Sequence, residues 1–259
     1  MSDSKAKAGS VGGAIGDGAD PALLFERAGL DEGRIQNIVG EALGGCDDGE
    51  LFMEYCQSES LVLDDGRIKS ANFDTNQGFG LRAVADEQTG YAHASELNES
   101  AIARAAATVQ AVRAGHDGSM SQAPMATNQS LYPDDNPLGE VSFADKVKLL
   151  GEVDSYARSR DPRVRQVTVS LHGQWQAVEI MRADGRRIRD VRPLVRLNVA
   201  VVLGEGDRQE NGSHGVGDRV GFARYLEEAN WQAQVDEAMR QAEVNLSSVP
   251  APAGEMQVV

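Results

Sequence analysis

Two Asp-Gly dipeptides, each flanked by alternating apolar residues, constrain the fold of this 259-residue chain more than any other feature. Asp65-Gly66 lies within ESLVLDDGRIKSANF, and Asp184-Gly185 lies within AVEIMRADGRRIRDV. A tight hairpin turn needs residues that tolerate positive φ, so Asp-Gly between alternating residues is a strong hairpin signal. The sequence therefore predicts a β-hairpin with the same turn chemistry in each half of the chain.

The first hairpin is flanked by predicted helices and further strands. Apolar residues recur at helical spacing over residues 23–43, and LFMEYC indicates a short strand. The run GFGLRAVADEQTGYAHAS predicts two strands that meet at a turn over residues 88–90. Asn98 is the expected N-cap of the helix that follows.

The second half repeats this order of elements. Ser142 and Asp145 indicate a capping box at the start of a helix. QVTVSL alternates strictly, and PLVRLNVAVVL predicts a longer apolar strand inside its sheet. GEGDRQENGSHGVGDRVG, rich in glycine and polar residues, predicts a loop before a final helix. The shared order fits a degenerate internal duplication, and it equally fits two α+β units that merely look alike.

Composition divides the chain into a tail, two halves and a linker. Residues 1–20, rich in Gly, Ser, Ala and Asp, predict a disordered tail. The first α+β half is predicted over residues 21–114 and the second over 140–259, joined by a linker at 115–139 rich in Gly, Ser, Pro, Asn and Asp. The predicted fold class is α+β, with mixed or antiparallel sheets and flanking helices.

The charge of the chain argues against two classes of partner. Its formal net charge is −15, so its surface repels phosphate backbones and anionic lipids. No run approaches the roughly 20 apolar residues of a membrane span. The first residues lack the apolar core of a secretory signal. We therefore expect a cytoplasmic protein that binds neither nucleic acid nor membranes.

The histidines form no local catalytic or zinc motif. They are His93, His116, His172 and His214; none is followed by Glu, and none has another histidine three or four residues away. His93 and His172 lie in predicted strands, where a hydrogen-bonded structural role is expected. His214 lies in the predicted glycine-rich loop, where it has either a structural role or a contact with a substrate.

The cysteines, glycines and serines also lack a catalytic signature. Cys46 and Cys56 match no zinc or redox spacing, so we expect reduced, partly buried thiols. GFG at 78–80 precedes a strand, and GVGDRVG at 215–221 lacks the Lys-Ser/Thr ending of a phosphate loop. No serine lies in a G-x-S-x-G motif.

Charged residues in two further segments are explained by solvent exposure or by ion pairs. Asp134 and Asp135 are predicted in a solvated loop. The arginines of RADGRRIRDVRPLVR, residues 182–196, stand out in an acidic protein. Either they form a solvated strand face, or they meet carboxylates within the fold or on a partner.

Several segments together resemble the TldD branch of the TldD/PmbA family. They are SESLVLDDGRIKSANFDTNQGFGLRAV, TGYAHA, RVRQVTVSL, DVRPLVRLNVAVVL and VNLSSVPAPAGEMQVV, in family order over residues 20–259. The resemblance implies an N-terminal α+β domain followed by a β-rich domain, in a cytoplasmic zinc-dependent peptidase. It also implies a heteromeric complex with a PmbA-type (TldE) subunit, and substrates that are unfolded or small peptides.

The resemblance also implies where the chemistry of the family lies. The family's zinc helix has an H-E-x-x-x-H motif, which the resemblance places after PAPAGEMQVV, and the third zinc ligand lies in the same C-terminal domain. We therefore assign no catalytic or metal-binding residue to this chain, expect no cofactor in it, and leave its substrate-binding residues open. The terminal apolar run indicates a chain cut inside a strand.

Two functional interpretations follow from these observations. In the first, the chain is the inactive N-terminal part of a TldD-type metallopeptidase, and the catalytic domain is absent from it. In the second, it is a stand-alone module that binds peptides or a partner subunit at exposed sheet edges by strand addition.

Overall fold

The computed structural model describes residues 23–113, 118–119, 132–251, 253–255 and 257. The tail predicted over residues 1–20 lies outside these residues. The linker predicted over 115–139 is described only at 118–119 and 132–139, so the division of the chain at this segment stays a prediction.

The described residues form six α-helices, six strands and two short 3₁₀ turns. The helices are α1 (Leu23–Ala28), α2 (Glu32–Leu43), α3 (Glu99–Val109), α4 (Phe143–Arg160), α5 (Ala223–Leu226) and α6 (Glu228–Ser247). The strands are β1 (Asp48–Asp64), β2 (Arg67–Ala85), β3 (Gln88–Ala94), β4 (Val164–Arg182), β5 (Arg187–Glu205) and β6 (Arg208–Asp218). The 3₁₀ turns are Gln110–Arg113 and Pro137–Gly139.

All six strands form one antiparallel sheet in the order β3-β2-β1-β4-β5-β6. β1 and β4 pair at its centre, with Glu50 opposite Arg182 and Asp64 opposite Thr168. Each half of the chain contributes three consecutive strands, so the order on one side of this central pair repeats on the other. The predicted α+β class with antiparallel strands and flanking helices is confirmed, and an internal duplication stays a prediction.

Both hairpins turn at the predicted Asp-Gly dipeptides, but the two turns differ in conformation. Asp65 has φ 52° and Gly66 φ 75° between β1 and β2, whereas between β4 and β5 only Gly185, with φ 79°, has a positive φ. The prediction of the same turn chemistry in both hairpins is therefore wrong, because the second turn is longer and spans residues 183–186. The turn predicted over 88–90 is wrong by two residues, because Asp86 adopts φ 52° instead and Gly90 pairs within β3. The N–H of Asp86 donates to the Asp47 carboxylate at 2.8 Å, which holds the turn at this position.

The single helix predicted over residues 23–43 is also wrong, because the chain forms α1 and α2 with a break between them. Gly29 adopts φ 62°, which ends α1 without the steric cost that a β-carbon would add. Asp31 then caps α2, and its carboxylate accepts the N–H of Arg34 at 2.9 Å. Apolar periodicity continues across both helices, so it conceals this boundary.

The loop predicted over residues 204–221 is largely a strand, β6. Its glycines reflect close packing. A β-carbon on Gly212 would collide with the backbone of Ala238 and Ala242 in α6. A β-carbon on Gly215 would collide with the side chain of Asn198 in β5. The prediction failed because a glycine that lets a helix approach a strand looks, in sequence, like a glycine in a loop.

The helices pack, in two clusters, on the sheet face formed by the odd-numbered residues of β1, β2, β4 and β5 and the even-numbered residues of β3 and β6. The first joins α1, α2 and α3 to one end of the sheet, where Leu51, Met53 and Leu81 are buried. The second joins α4 and α6 to the other end, where Val199 and Val201 are buried. Burying this many large apolar side chains supplies the main driving force for folding. In β1, β2, β4 and β5, the even-numbered residues therefore form the opposite face.

Candidate functional site

Polar side chains occupy the middle of the sheet face opposite these helices. Ser58 and Ser60 on β1 and Gln174 on β4 are partly exposed there, and His172 on β4 is exposed. Strand alternation produces this arrangement, because the odd-numbered neighbours of these residues point into the core. The polar surface is the candidate functional site, and we call it the open face.

The open face contains a cavity of about 230 Å³. Ser58 and Ser60 are small, so the surface dips where β1 passes between its larger neighbours. Ser58 lies opposite Asp74 of β2 on one side and opposite Gln174 of β4 on the other. The lining residues are Ser58, Glu59, Ser60, Asp74, His172, Gly173, Gln174, Leu194 and Arg196. The cavity therefore extends across four adjacent strands.

Opposite charges lie at the two sides of this cavity. Asp74 on β2 supplies a carboxylate, and Arg196 on β5 supplies a guanidinium whose Nε donates to Asn198 Oδ1 at 2.8 Å. His172 lies opposite Arg196 in the β4–β5 register. Desolvation, and then the charge of Arg196, lower the pKa of His172 below its ordinary value. The imidazole is therefore mostly neutral at pH 7, and it can both donate and accept a hydrogen bond.

A second polar group on the open face is an ion-pair network. Arg82 donates to Asp48 at 2.6 Å and to Glu50 at 2.8 Å, and Arg182 donates to Asp48 at 2.6 Å. Burial acts to raise the pKa of Asp48, but the hydrogen bonds from Arg182 and Arg82 outweigh it and lower that pKa. The pKa of Arg82 is raised by the same carboxylates. These charges satisfy one another, which indicates a role in joining β1, β2 and β4.

Each histidine predicted from sequence occupies a different environment. His93 is exposed on β3 and stacks on Tyr91, with ring centroids 5.6 Å apart. His172 is also exposed and lines the cavity, and no hydrogen bond to either ring is found among the described residues. The prediction that these two are hydrogen-bonded structural histidines is therefore wrong. His93 lies on the edge strand β3 and His172 lies on the open face, so both rings are at the surface.

His214 lies in β6, and its Nδ1 is 2.7 Å from Gln234 Oε1 of α6. This hydrogen bond joins the edge strand to the final helix, so the histidine contributes to packing in the place where a loop was predicted. His116 lies outside the described residues.

The remaining sequence candidates have structural roles. Cys46 is buried, and Cys56 is partly buried and accepts a hydrogen bond from Gln174 Nε2 at 3.0 Å. A β-carbon on Gly78 would lie 2.8 Å from the carbonyl oxygen of Ala94, so the GFG segment brings β2 close to the end of β3. Asp134 and Asp135 are exposed, as predicted.

Most arginines of residues 182–196 meet carboxylates within the fold. Arg187 contacts both Glu179 and Glu32, and Arg192 Nε lies 2.6 Å from Asp190. The sequence left two alternatives open for these arginines, and the structure shows that they form ion pairs with carboxylates of the same chain. Arg196 differs, because it lines the cavity and its hydrogen-bond partner is an amide.

No sequence motif indicated the cavity. Its residues belong to β1, β2, β4 and β5, and only the long-range pairing of β1 with β4 brings these strands together. Local alternation marks Ser58 and Ser60 as solvent-facing, but it does not show which strands lie beside them.

Comparison with known proteins identifies the class of protein to which this chain belongs, a family whose models are described as metallopeptidase domains. The family model PmbA/TldA metallopeptidase domain 1 matches residues 49–114, and the PmbA/TldA metallopeptidase central domain matches residues 136–246. The chain belongs to the TldD/PmbA family.

Individual relatives agree with this assignment. A metalloprotease TldD homolog of Haemophilus influenzae is 38% identical over 221 residues, which cover 82% of this chain and 46% of that protein. The chain thus spans about half the length of the curated relatives it matches.

Two solved structures share the fold at low sequence identity. A Thermotoga maritima protein described as a candidate modulator of a DNA gyrase aligns with a TM-score of 0.69 and 16% identity, covering 89% of this chain and 50% of that one. TldE from Thermococcus kodakarensis aligns with a TM-score of 0.65 and 14% identity, covering 81% of this chain and 47% of that one. At such identities the similarity shows the fold alone.

The metal that a metalloprotease requires finds no binding site in the described part of the chain. No three His, Cys, Asp or Glu side chains group there in a way that could hold a metal ion. The residues that the structure describes therefore do not fit the zinc implied by the family. No helix in the described ranges has both the length and the apolar character needed to cross a membrane.

Proposed function

We propose that this chain is the N-terminal, substrate-channel and assembly part of a TldD-like zinc-dependent metallopeptidase that degrades or trims unfolded peptides in the cytoplasm. The observation that carries the proposal is the pair of consecutive matches to domain 1 and the central domain of a metallopeptidase family. In this function, the chain works with a PmbA/TldE-type subunit and with a catalytic domain distinct from domain 1 and the central domain.

The open face supports a role in contacting peptides. Peptide backbones are polar, and a surface that binds many sequences must present donors and acceptors to the main chain. Ser58, Ser60 and Gln174 place hydroxyl and amide groups side by side across the cavity. With the helices packed on the other face, this surface is the side of the sheet available to a substrate channel.

We further propose that the chain is catalytically inactive by itself. The described histidines lie on β3, β4 and β6, and no two of these strands are neighbours in the sheet. His214 is already hydrogen-bonded to Gln234. Zinc ligands and the general base would therefore come from the catalytic domain, while this chain positions the substrate.

Zinc content and peptide cleavage of the purified chain test this proposal. After incubation with zinc and dialysis, we expect less than stoichiometric zinc by mass spectrometry of the metal, and no cleavage of an unstructured peptide mixture. A chimera in which residues 49–246 replace the matching segment of the H. influenzae relative should bind zinc and cleave the same peptides. Stoichiometric zinc together with cleavage by the isolated chain would contradict the proposal, and so would an inactive but folded chimera.

A second candidate function is a stand-alone module that captures an extended segment by strand addition. It is favoured by the outer edge of β2, because β3 pairs only with residues 79–85 of that strand. Over residues 67–78, no described strand pairs with β2 on this side, and Phe73 is 58% exposed there. Co-purification with a PmbA/TldE-type subunit in the absence of any full-length TldD would favour this candidate. Loss of that interaction on Thr75→Pro, with Ser95→Pro outside the edge as control, would locate it at β2.

A further inference from the structure

The two charged groups at the sides of the open-face cavity lie far apart and lack ionic partners. Asp74 on β2 and Arg196 on β5 are separated by β1 and β4, which is three strand spacings or about 14 Å measured across the strands. In the register Asp74 aligns with Leu194, so Arg196 is also displaced along its strand. Among the described residues, neither side chain takes part in an ion pair. Arg82 and Arg182, which lie on the open face outside the cavity, both meet carboxylates instead.

Arg196 has bonding capacity left for a ligand. Its Nε donates to Asn198 Oδ1, which fixes the guanidinium plane, and its terminal N–H groups make no other hydrogen bond within the described residues. A guanidinium with two parallel N–H groups matches a carboxylate in bidentate geometry. His172 lies beside it in the register and can donate a further hydrogen bond.

The floor and remaining wall suit a main chain with small side chains. Ser58 and Ser60 offer hydroxyl groups, and Gln174 donates to Cys56, which leaves its carbonyl oxygen to accept. Leu194 is 37% exposed beside Arg196 and offers an apolar contact. A cavity with one anionic side, one cationic side and a polar floor is complementary to a zwitterion with an amide backbone.

We propose that the cavity between Asp74 and Arg196 binds short peptides with both termini free, the ammonium group at Asp74 and the carboxylate at Arg196. An extended chain advances about 3.3–3.6 Å per residue, so three to four residues span about 14 Å. The site lies on the chain itself and goes beyond the proposed function. If that function is correct, the ligands are peptides of the size that a peptidase releases.

Calorimetric titration of the whole chain with tetra-alanine tests the proposal, with variants of both protein and peptide. Tetra-alanine should bind saturably, and its C-terminal amide and its N-acetyl form should each bind at least about tenfold more weakly, since each loses a charge-assisted hydrogen bond. Arg196→Gln should weaken tetra-alanine by a similar factor and have little further effect on the amide. Asp74→Asn should show the same pattern with the N-acetyl peptide. Arg67→Gln removes an exposed charge on β2 outside the cavity and serves as the matched control.

Several results would overturn this assignment. They are no saturable binding at millimolar peptide, equal affinity for free and doubly capped peptides, or equal effects of Arg196→Gln and Arg67→Gln. Equal affinity for capped peptides would indicate a longer protein segment as the occupant. The free-versus-capped comparison uses the unaltered chain, so it does not depend on how a variant folds. A chain that binds no tetra-alanine while the chimera still cleaves peptides would reject this site and leave the proposed function standing.

Discussion

Lys146 Nζ lies 2.6 Å from Glu59 Oε2 on the helix-covered side of the sheet, and only 2% and 11% of the two side chains are exposed. The ammonium group also donates to the carbonyl oxygen of Leu138 at 3.0 Å and lies 4.3 Å from the ring centroid of Phe222. This one side chain thus connects α4 to β1, to the 3₁₀ turn before α4 and to the segment before α5. The pair joins the two halves of the chain.

Removing only the lysine should be more harmful than removing both charges. Lys146→Met leaves the Glu59 carboxylate buried without its cation, and we expect a loss of about 3 kcal/mol in the free energy of unfolding. The double variant Lys146→Met/Glu59→Gln should recover at least half of this loss in urea titrations. Lys148→Met breaks the exposed pair with Glu152 and should cost no more than about 0.5 kcal/mol. Equal stability of the single and double variants would show that the buried charge is not the cause.

Two glycine substitutions should change stability in opposite directions. Gly212→Ala forces a β-carbon against the backbone of Ala238 and Ala242, and we expect a loss of about 2 kcal/mol. Gly151 lies inside α4, where a β-carbon would meet open space among the described residues, so Gly151→Ala should stabilise by about 0.5–1 kcal/mol. Thermal and urea unfolding of both variants measure this. A neutral Gly212→Ala would contradict the close approach of α6 to β6.

The sequence correctly predicted those turns and helix caps that depend only on residues adjacent in the chain. The Asp65-Gly66 turn and the Ser142 cap depend on neighbouring residues, and both are found where expected. The β6 strand was missed because Gly212 is required by the close packing of α6, a contact between residues that are distant in sequence. The cavity also depends on residues that are distant in sequence, because Ser58 lies at its floor only when β4 pairs with β1. Long-range pairing is what sequence patterns of period two leave unspecified.

The titration of His172 reports directly on Arg196. Desolvation and the charge of Arg196 hold the pKa of His172 below its ordinary value, so Arg196→Gln should raise that pKa. NMR titration of the imidazole signals, with His172→Gln to assign the resonance, measures the shift. Arg67→Gln should leave the pKa unchanged. A His172 pKa that does not respond to Arg196→Gln would contradict the proximity of the two side chains on the open face.

Tyr225 should make the stability of the chain fall at alkaline pH. Burial, and then the charge of Asp218, raise the pKa of Tyr225 to about 12, whereas an unfolded tyrosine releases its proton near pH 10. The stabilisation from keeping this proton is fully present below pH 10 and is lost as pH rises toward 12, because only the unfolded state ionises in that interval. Urea titrations between pH 9 and 11.5 should therefore show the unaltered chain losing about 2 kcal/mol more than Tyr225→Phe. Tyr91→Phe, at a ring that is 62% exposed, should follow the unaltered chain, and parallel pH curves for the unaltered chain and Tyr225→Phe would rule out the buried phenol as the cause.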